Sequence, residues 1–385
     1  TTEIYTLSLH DALPIFPLTP QNTPECARIG AGGFVADGTR KRDSNVGFTM
    51  PPNQSRRLRC AGCALIALSA AYLAAVAALM LAQRYVGERV WFVTWVTYAP
   101  QHAAAIPVLP LLVWAVLARS SRAVLLNLAC LAVVFFGLMG YCWHLDPGTG
   151  PDTLRVMTYN IHYLDGGLEP VARTIAAQKP DFVVLQEVSP RPGKPHPMGL
   201  LKTRLPQYRF ASHKGLAVGS KYPIVHTETR VTWPEPSGRP ALRVDVKARG
   251  RTVHIFAAHL AVAIDDELIE KRWSAIPSYT KHSTNVRSNQ TRRLLDWTTR
   301  VNGPVILAGD FNTPPRGRIY GRIRVRYRDA FAAAGRGLGH TFRSDLPMLR
   351  IDYVFTSDEV KPRRAWVPDS HASDHKPLVA EVRIP

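Results

Sequence analysis

The sequence predicts an α/β domain of two sheets packed face to face with helices outside, preceded by three membrane-length apolar segments. From Leu154 to Ile384, short apolar runs of strand type alternate with helical stretches, and strands outnumber helices. Before residue 150 lie three uncharged stretches of the length needed to cross a bilayer, ~20 residues. Within the later part, single polar residues close the apolar runs, which puts them at strand ends beside the core.

Residues 1–55 mix Pro, Gly, Thr and Arg without clean periodicity, and they read as a disordered or artefactual N-terminal segment. Their opening, TTEIYTLSLHDALPIF, resembles translated adapter sequence. Residues 56–144 form the predicted transmembrane region, with spans at Cys60–Ala82, Tyr98–Ala118 and Ala123–Trp143. Pro107 and Pro110 either kink the second span or move its start toward Val108, which shortens it. Arg56, Arg57, Arg59, Arg119 and Arg122 flank one side of these spans, against Arg84 and Arg89 on the other. The positive-inside rule then makes the N-terminus cytoplasmic and sends everything after the third span outside. The expected location is a bacterial inner (plasma) membrane, with the C-terminal domain periplasmic or extracellular. Residues 145–153, LDPGTGPDT, are a Pro/Gly linker into the domain 154–385.

In that domain the expected strands are Arg155–Thr158, Asp181–Leu185, Leu216–Gly219, Ala241–Lys247, Thr252–Ala258, Val305–Ala308, Ile351–Thr356 and Leu378–Arg383. Leu168–Gln178 reads as a helix with Leu168, Val171, Ala172 and Ile175 on one face, and Asn285–Arg300 as another.

The formal net charge is +19, and residues after 150 carry 37 Lys and Arg against 22 Asp and Glu. That balance suits an anionic partner: nucleic acid, a phospholipid surface or a phosphorylated substrate. The alternative is a solvated Arg-rich surface. All five cysteines precede residue 150, so the later domain relies on no disulfide. Cys60 and Cys63 form a lone CxxC, better read as small apolar residues at a helix edge than as a metal site.

The polar islands carry the chemistry. Asn160 closes VMTYN, Glu187 follows DFVVLQ, and His259 closes VHIFAAH. Asp310 and Asn312 stand in VILAGDFN, Asp352 in RIDYVF, and Asp374 with His375 in SDHKPLV. A carboxylate at the end of a buried strand is costly unless paired or bound to a cation. Such oxygen-rich sets suit Mg²⁺, which needs only one or two carboxylates, with Mn²⁺ as the substitute. A Gly-Asp-Asn turn at a strand end is also common for purely conformational reasons. His375 needs a partner to fix its tautomer, and Asp352 is the candidate. His254 lies an odd number of residues before His259, so the two face opposite sides of a strand and do not act together. His162 shares a face with Asn160 and is a candidate site-lining residue.

In order, TYNIH, QEV, the His-Leu of AAHL, GDFN, RIDYVF and SDHKP resemble the motifs of the endonuclease/exonuclease/phosphatase superfamily, the deoxyribonuclease-I-like fold. GLAVGSKYPI and the Arg/Gln helix RSNQTRRLL, which contains Arg287, resemble that family too. The resemblance covers about Leu154 to Ile384. It implies a four-layer α/β sandwich of two packed, mostly antiparallel sheets with outer helices. It implies that Asn160, Glu187 and Asp374 hold the metal and that Asp310 and Asn312 place water and phosphate. Asp352 would pair with His375, and His259 would contact the phosphate or leaving group. The implied activity is hydrolysis of a phosphate ester, most simply a phosphodiester in nucleic acid or a phospholipid head group, with both histidines stabilising charge in the transition state. The alternatives are a phosphomonoesterase on inositol-type phosphates and a catalytically silent, membrane-tethered binding domain. Beyond His259 and Leu260 the chain reads AVAIDDELIEKRW, without the Tyr-x-x-Asn-x-x-Arg pattern of abasic-site endonucleases, which argues against DNA repair.

Arg316, Arg318, Arg322, Arg324, Arg326 and Arg328 follow GDFN, and within IRVRYRD the arginines alternate with apolar residues. As a strand it would set Arg322 to Arg328 on one face, with Arg324 and Arg326 as substrate contacts on a polyanion track. The competing reading is an edge strand whose charges block pairing with another chain.

Overall fold

The structure, a computed structural model, describes residues 52–145, 150, 152–233, 239–264 and 273–384. The expectations for residues 1–51 and for linker residues 146–149 and 151 lie outside the described residues. Pro52 to Ser55, assigned above to the N-terminal segment, instead open the first helix.

That helix, α1 (Pro52–Leu81), is followed by α2 (Trp91–Tyr98), α3 (Val108–Leu117) and α4 (Ser121–Ala132). Cys60–Arg89 and Ser121–Leu138 are each long and apolar enough to cross a membrane. The expected span Tyr98–Ala118 is not one helix. Trp91–Tyr98 and Gln101–Leu117 meet at an 88° bend and make a third span only if taken together. The cause is local: Ala99 and Pro100 are extended, a 3₁₀ turn covers Gln101–Ala105, and α3 starts just after Pro107. The packing fixes the direction of each helix. Leu65, midway along α1, meets Ala115 near the end of α3 and Ala123 near the start of α4. At the other end, Val76 meets Val108, Val134 and Leu138. So α3 runs antiparallel to α1 and α4. Buried amides tie the bundle together, Asn127 to Ser69 and Gln83 to Gln101, each at 2.9 Å.

The C-terminal domain holds twelve described strands in two six-stranded sheets. The first has the order β11 (Lys361–Trp366), β12 (Leu378–Arg383), β1 (Thr153–Asn160), β2 (Phe182–Gln186), β4 (Leu216–Ser220), β3 (Arg209–His213). The second has β5 (Ile224–Val231), β6 (Pro240–Ala248), β7 (Arg251–His259), β8 (Val305–Asp310), β10 (Asp352–Thr356), β9 (Arg328–Asp329). Pairing is antiparallel except between β1 and β2 and between β7 and β8.

Alternate residues of one strand serve different layers. Val156 and Val184 face Leu242, Ile255 and Ile306 between the sheets. Their neighbours Met157 and Leu185 face Val171, Ile175 and Leu201 on the outer helices Leu168–Gln178 and Pro197–Arg204. On the far side Phe256, Leu307 and Phe355 pack under Leu294, Trp297 and Ile323 of the helices Ile276–Thr298 and Arg318–Arg324. Burial on both faces explains the unbroken apolar runs. The result is the four-layer sandwich, helix on sheet on sheet on helix.

The arginine-rich segment is the main correction. Arg318–Arg324 is a helix, residues 325–327 make a turn, and only Arg328–Asp329 is strand. Ile319, Tyr320 and Ile323 are its buried face, which is helical spacing, while Arg322, Arg324 and Arg326 point to solvent. Arg322 bonds Ser288, and Arg324 lines a cavity of about 500 Å³ with Met80, Leu81 and Arg84. No arginine row runs along a strand there.

The bundle and the sandwich are bolted together. Arg316 donates to the carbonyls of Thr97 and Leu138 at 3.1 and 2.7 Å, the Arg318 amide donates to Glu88, and Trp95 donates to Thr280.

Candidate active site

Strand register brings the polar strand ends into one row. His259, Asp310 and Asp352 are cross-strand partners on β7, β8 and β10. In the other sheet Asn160 pairs with Gln186, which sets Glu187 beside it, and His375 precedes β12, the antiparallel partner of β1. Close strand approach is part of the design: a Cβ on Gly309 would lie 1.9 Å from the Ala258 carbonyl oxygen. Glu187 and Asn312 both take left-handed backbone, with φ of 59° and 46°. That conformation is uncommon for residues other than Gly and collects at functional sites. Here it turns each chain sharply as it leaves its strand.

The Asn160 amide nitrogen donates to Glu187 Oε1 at 3.1 Å and to Asp310 Oδ2 at 3.2 Å, so two carboxylates from different sheets converge on one group. Asp310 Oδ1 accepts the Asn312 backbone amide at 2.8 Å. His259 Nε2 lies 3.5 Å and His375 Nε2 3.8 Å from Asp310 Oδ2, so two imidazoles flank one carboxylate oxygen. Burial, reinforced by the Asp352 charge, raises the Asp310 carboxyl to about 7. Burial would strip the proton from His375, but Asp352, bonded to its Nδ1 at 2.8 Å, outweighs that and lifts the ring to about 10. His259 goes the other way. Burial first, then Arg239 and His375, hold it well below the usual imidazole range. Arg239 donates from Nη1 to His259 Nε2, which marks that nitrogen as an unprotonated acceptor. The two histidines are therefore pushed in opposite directions, His375 toward the charged form and His259 toward the neutral one.

These contacts join Asn160, Glu187, His259, Asp310, Asn312, Asp352 and His375 in a single constellation. Asp374 stands at its rim, 40% exposed, with its carboxylate 3.6 Å from His162 Nδ1 and bonded by Ser373. His162 accordingly lines the same rim. His254 is elsewhere, bonded to Asp245 and the Asn302 carbonyl. Arg287 is fully buried, and its guanidinium donates to Tyr98 Oη, the Asn312 carbonyl and Thr313. It supports the Asn312 turn from behind, so its expected substrate contact is corrected to a positioning role. Arg324 and Arg326 belong to the helix and turn described above and are not part of this contact network.

The sequence model of the Endonuclease/Exonuclease/phosphatase family matches residues 157–375, more than half of the chain. The chain belongs to that family. Its members generally hydrolyse phosphate esters and generally depend on a divalent metal. Among curated relatives, the uncharacterized protein YbhP of Escherichia coli strain K12 is 26% identical over 271 residues, spanning 60% of this chain and 97% of that protein. Among solved structures, an endonuclease/exonuclease/phosphatase from Beutenbergia cavernae DSM 12333 shares 25% identity, covering 60% of this chain and 72% of that one, with a TM-score of 0.48. The mannosyl-6-phosphatase of Bacteroides thetaiotaomicron shares 19% identity over 60% of this chain and 99% of that one, also at 0.48.

Two residues of this family member's site escape sequence reasoning. Arg239 reaches His259 from the loop before β6, in a stretch with no strand or helix pattern to mark it. Tyr98 comes from the apolar N-terminal part and donates to the Asn312 carbonyl at 2.5 Å. Nothing local separates it from other interfacial aromatics.

Proposed function

We propose that this protein hydrolyses a phosphodiester with the help of a divalent cation, from a domain that its apolar helices hold outside the cytoplasm. The observation that carries the reading is Asp310, raised to about 7 and flanked by His375 and His259. A carboxyl group near neutrality is suited to take a proton from water as the water oxygen attacks phosphorus. His375, protonated by its bond to Asp352, is suited to stabilise the negative charge that builds on the phosphate oxygens. It is then a poor base, which favours Asp310 in that role. His259 Nε2 accepts from Arg239, so it serves phosphate or the leaving oxygen as a donor only after it releases Arg239 and takes up a proton.

The donors present fit a hard cation: carboxylate and amide oxygens, with imidazoles nearby and no cysteine beyond residue 142. Asn160, Glu187 and Asp374 would hold Mg²⁺ or Mn²⁺, and the ion would neutralise phosphate charge and stabilise the leaving oxygen. Ligand atoms of Asp310, Asp352 and His375 also lie within 4.8 Å of one another. The 2.8 Å bond to His375 occupies Asp352 Oδ2, while Asp352 Oδ1 is buried without a partner; Glu187, 17% exposed, is the more accessible cation seat.

Outward orientation rests on the arginine bias together with the up-down-up bundle, whose last helix ends against the catalytic domain at Leu138. The test uses the full chain in detergent with bis-p-nitrophenyl phosphate and p-nitrophenyl phosphate, with Mg²⁺ and with chelator. Diester cleavage that disappears on chelation and in Glu187→Ala is the expected result. Activity that persists in either condition overturns the metal assignment, and exclusive cleavage of the monoester overturns the diesterase reading. A periplasm-dependent reporter after Ile384 should be active; silence there reverses the orientation.

A further inference from the structure

We infer that the substrate is a membrane lipid, whose phosphate ester is cut at Asp310 while its acyl chain lies in an apolar groove running from the site to the helix bundle. The inference rests on the phosphoesterase reading above and adds the substrate class.

Two adjoining cavities, of about 470 and 420 Å³, share Tyr98, Phe342 and Leu349. Each is in the size range of ligand pockets, ~300–1,000 Å³. The inner one is lined by Asn312 together with Val262, Ile264 and Ile351. Its end is therefore at the catalytic constellation: Asn312 accepts at its carbonyl from Tyr98, and the Phe342 ring centroid is 4.8 Å from that of His375. The outer cavity continues past Met348 to Pro100 and to Leu346, which is 61% exposed. Pro100 directly precedes the turn that leads into α3, so the groove opens where the chain enters the bundle.

One wall thus belongs to the segment between two apolar helices and the other to the catalytic domain. The inner cavity joins Asn312 to a mainly apolar lining, and the outer one sets Pro100, Leu346 and Met348 beside the Arg343 and Asp345 pair; a lipid with its phosphate at Asp310 would lay its acyl chain along these apolar side chains. The rim charges argue the same way. Arg343 is balanced by Asp345 at 3.9 Å, and a polyanion track needs uncompensated cations that bind successive phosphates. The arginine-rich segment, which would have supplied them, folds as a helix and turn outside the catalytic contact network, with Arg324 beside Met80 and Arg84.

The test compares dioleoylphosphatidylglycerol with its deacylated counterpart, glycerophosphoglycerol, on the full chain in detergent with Mg²⁺, with bis-p-nitrophenyl phosphate as a control that needs no groove. The lipid should show kcat/KM at least about tenfold above the deacylated diester, since remote binding energy is available only with the chain present. Met348→Trp and Leu346→Glu should each remove most of that preference and leave bis-p-nitrophenyl phosphate cleavage unchanged, which also reports that the variants fold. Equal rates on lipid and deacylated diester overturn the inference. So do variants that lower all three substrates together, or cleavage of DNA in preference to the lipid. Failure on every phosphate ester, the control included, overturns the phosphoesterase reading itself.

Discussion

Asp352 Oδ2 sits 2.8 Å from His375 Nδ1, and that bond sets the charge of the ring facing Asp310. Because His375 is raised in the folded state, to about 10 from an ordinary 6.5, the pair stabilises the protein fully below about pH 6.5 and loses that contribution as pH rises through about 10. Asp352→Asn should therefore lower Tm most near pH 6, with the gap to the parent closing by pH 10. Its kcat should fall by roughly 10²–10⁴, the range of acid–base and charge-positioning effects. Thermal denaturation across pH and steady-state kinetics check both. A Tm gap that widens with pH would contradict the assigned charge.

Asp310 is held near 7 by burial and then by Asp352, so proton uptake by this carboxylate requires pH above that value in the free site. A cation at Glu187 favours the ionised form and lowers the pKa. The acid limb of the kcat/KM profile should begin near neutrality at low Mg²⁺ and move to lower pH as Mg²⁺ increases. A limb that stays fixed across a hundredfold range of Mg²⁺ would separate Asp310 from the metal site.

Arg239 keeps His259 neutral through a direct contact and a nearby positive charge, in a site where burial already disfavours the imidazolium. In Arg239→Ala the His259 ring should titrate at higher pH, and KM should rise because the cleft lined by Glu187, Lys214 and Arg239 loses a phosphate donor. Nitrogen-15 histidine spectra and kinetics read the two effects separately. Arg239→Lys should restore charge but not the forked geometry, and so recover KM only in part.

Gly309→Ala tests the strand spacing. The added methyl meets the Ala258 backbone oxygen, and no side chain can move aside to relieve it. Strand separation there should cost about 1–3 kcal/mol and displace Asp310 from His259. Denaturant unfolding together with a loss of kcat would check it; a variant with parental stability would mean that β7 and β8 stand farther apart.

The inner strands were legible because their buried positions leave a pattern: β2 and β8 read as apolar runs, and β4, β6 and β7 as alternating segments. The edge strands β3 (RFASH), β5 (IVHTETRV) and β11 (KPRRAW) were not, since polar residues on exposed positions erase the pattern. IRVRYRD satisfied a period of two by composition, yet Ile319 and Tyr320, just upstream, made a helical face with Ile323. The site was legible for the same reason as the inner strands. A charge that ends a buried run stands out, as Asp310 does after VILAG. Arg239 and Tyr98 reach the site from other parts of the chain, and only the fold shows what they touch.

The reacting groups stand on strand ends, in register with one another, whereas the groove walls are built from Val262–Ile264, Phe342–Leu349 and Tyr98–Pro100. What the protein does to a phosphate and which molecule it does it to are therefore written on separate stretches of chain. Loops can be exchanged or lengthened without disturbing Asp310 and its neighbours. Divergence within such a lineage should change the diet of the enzyme far sooner than its chemistry.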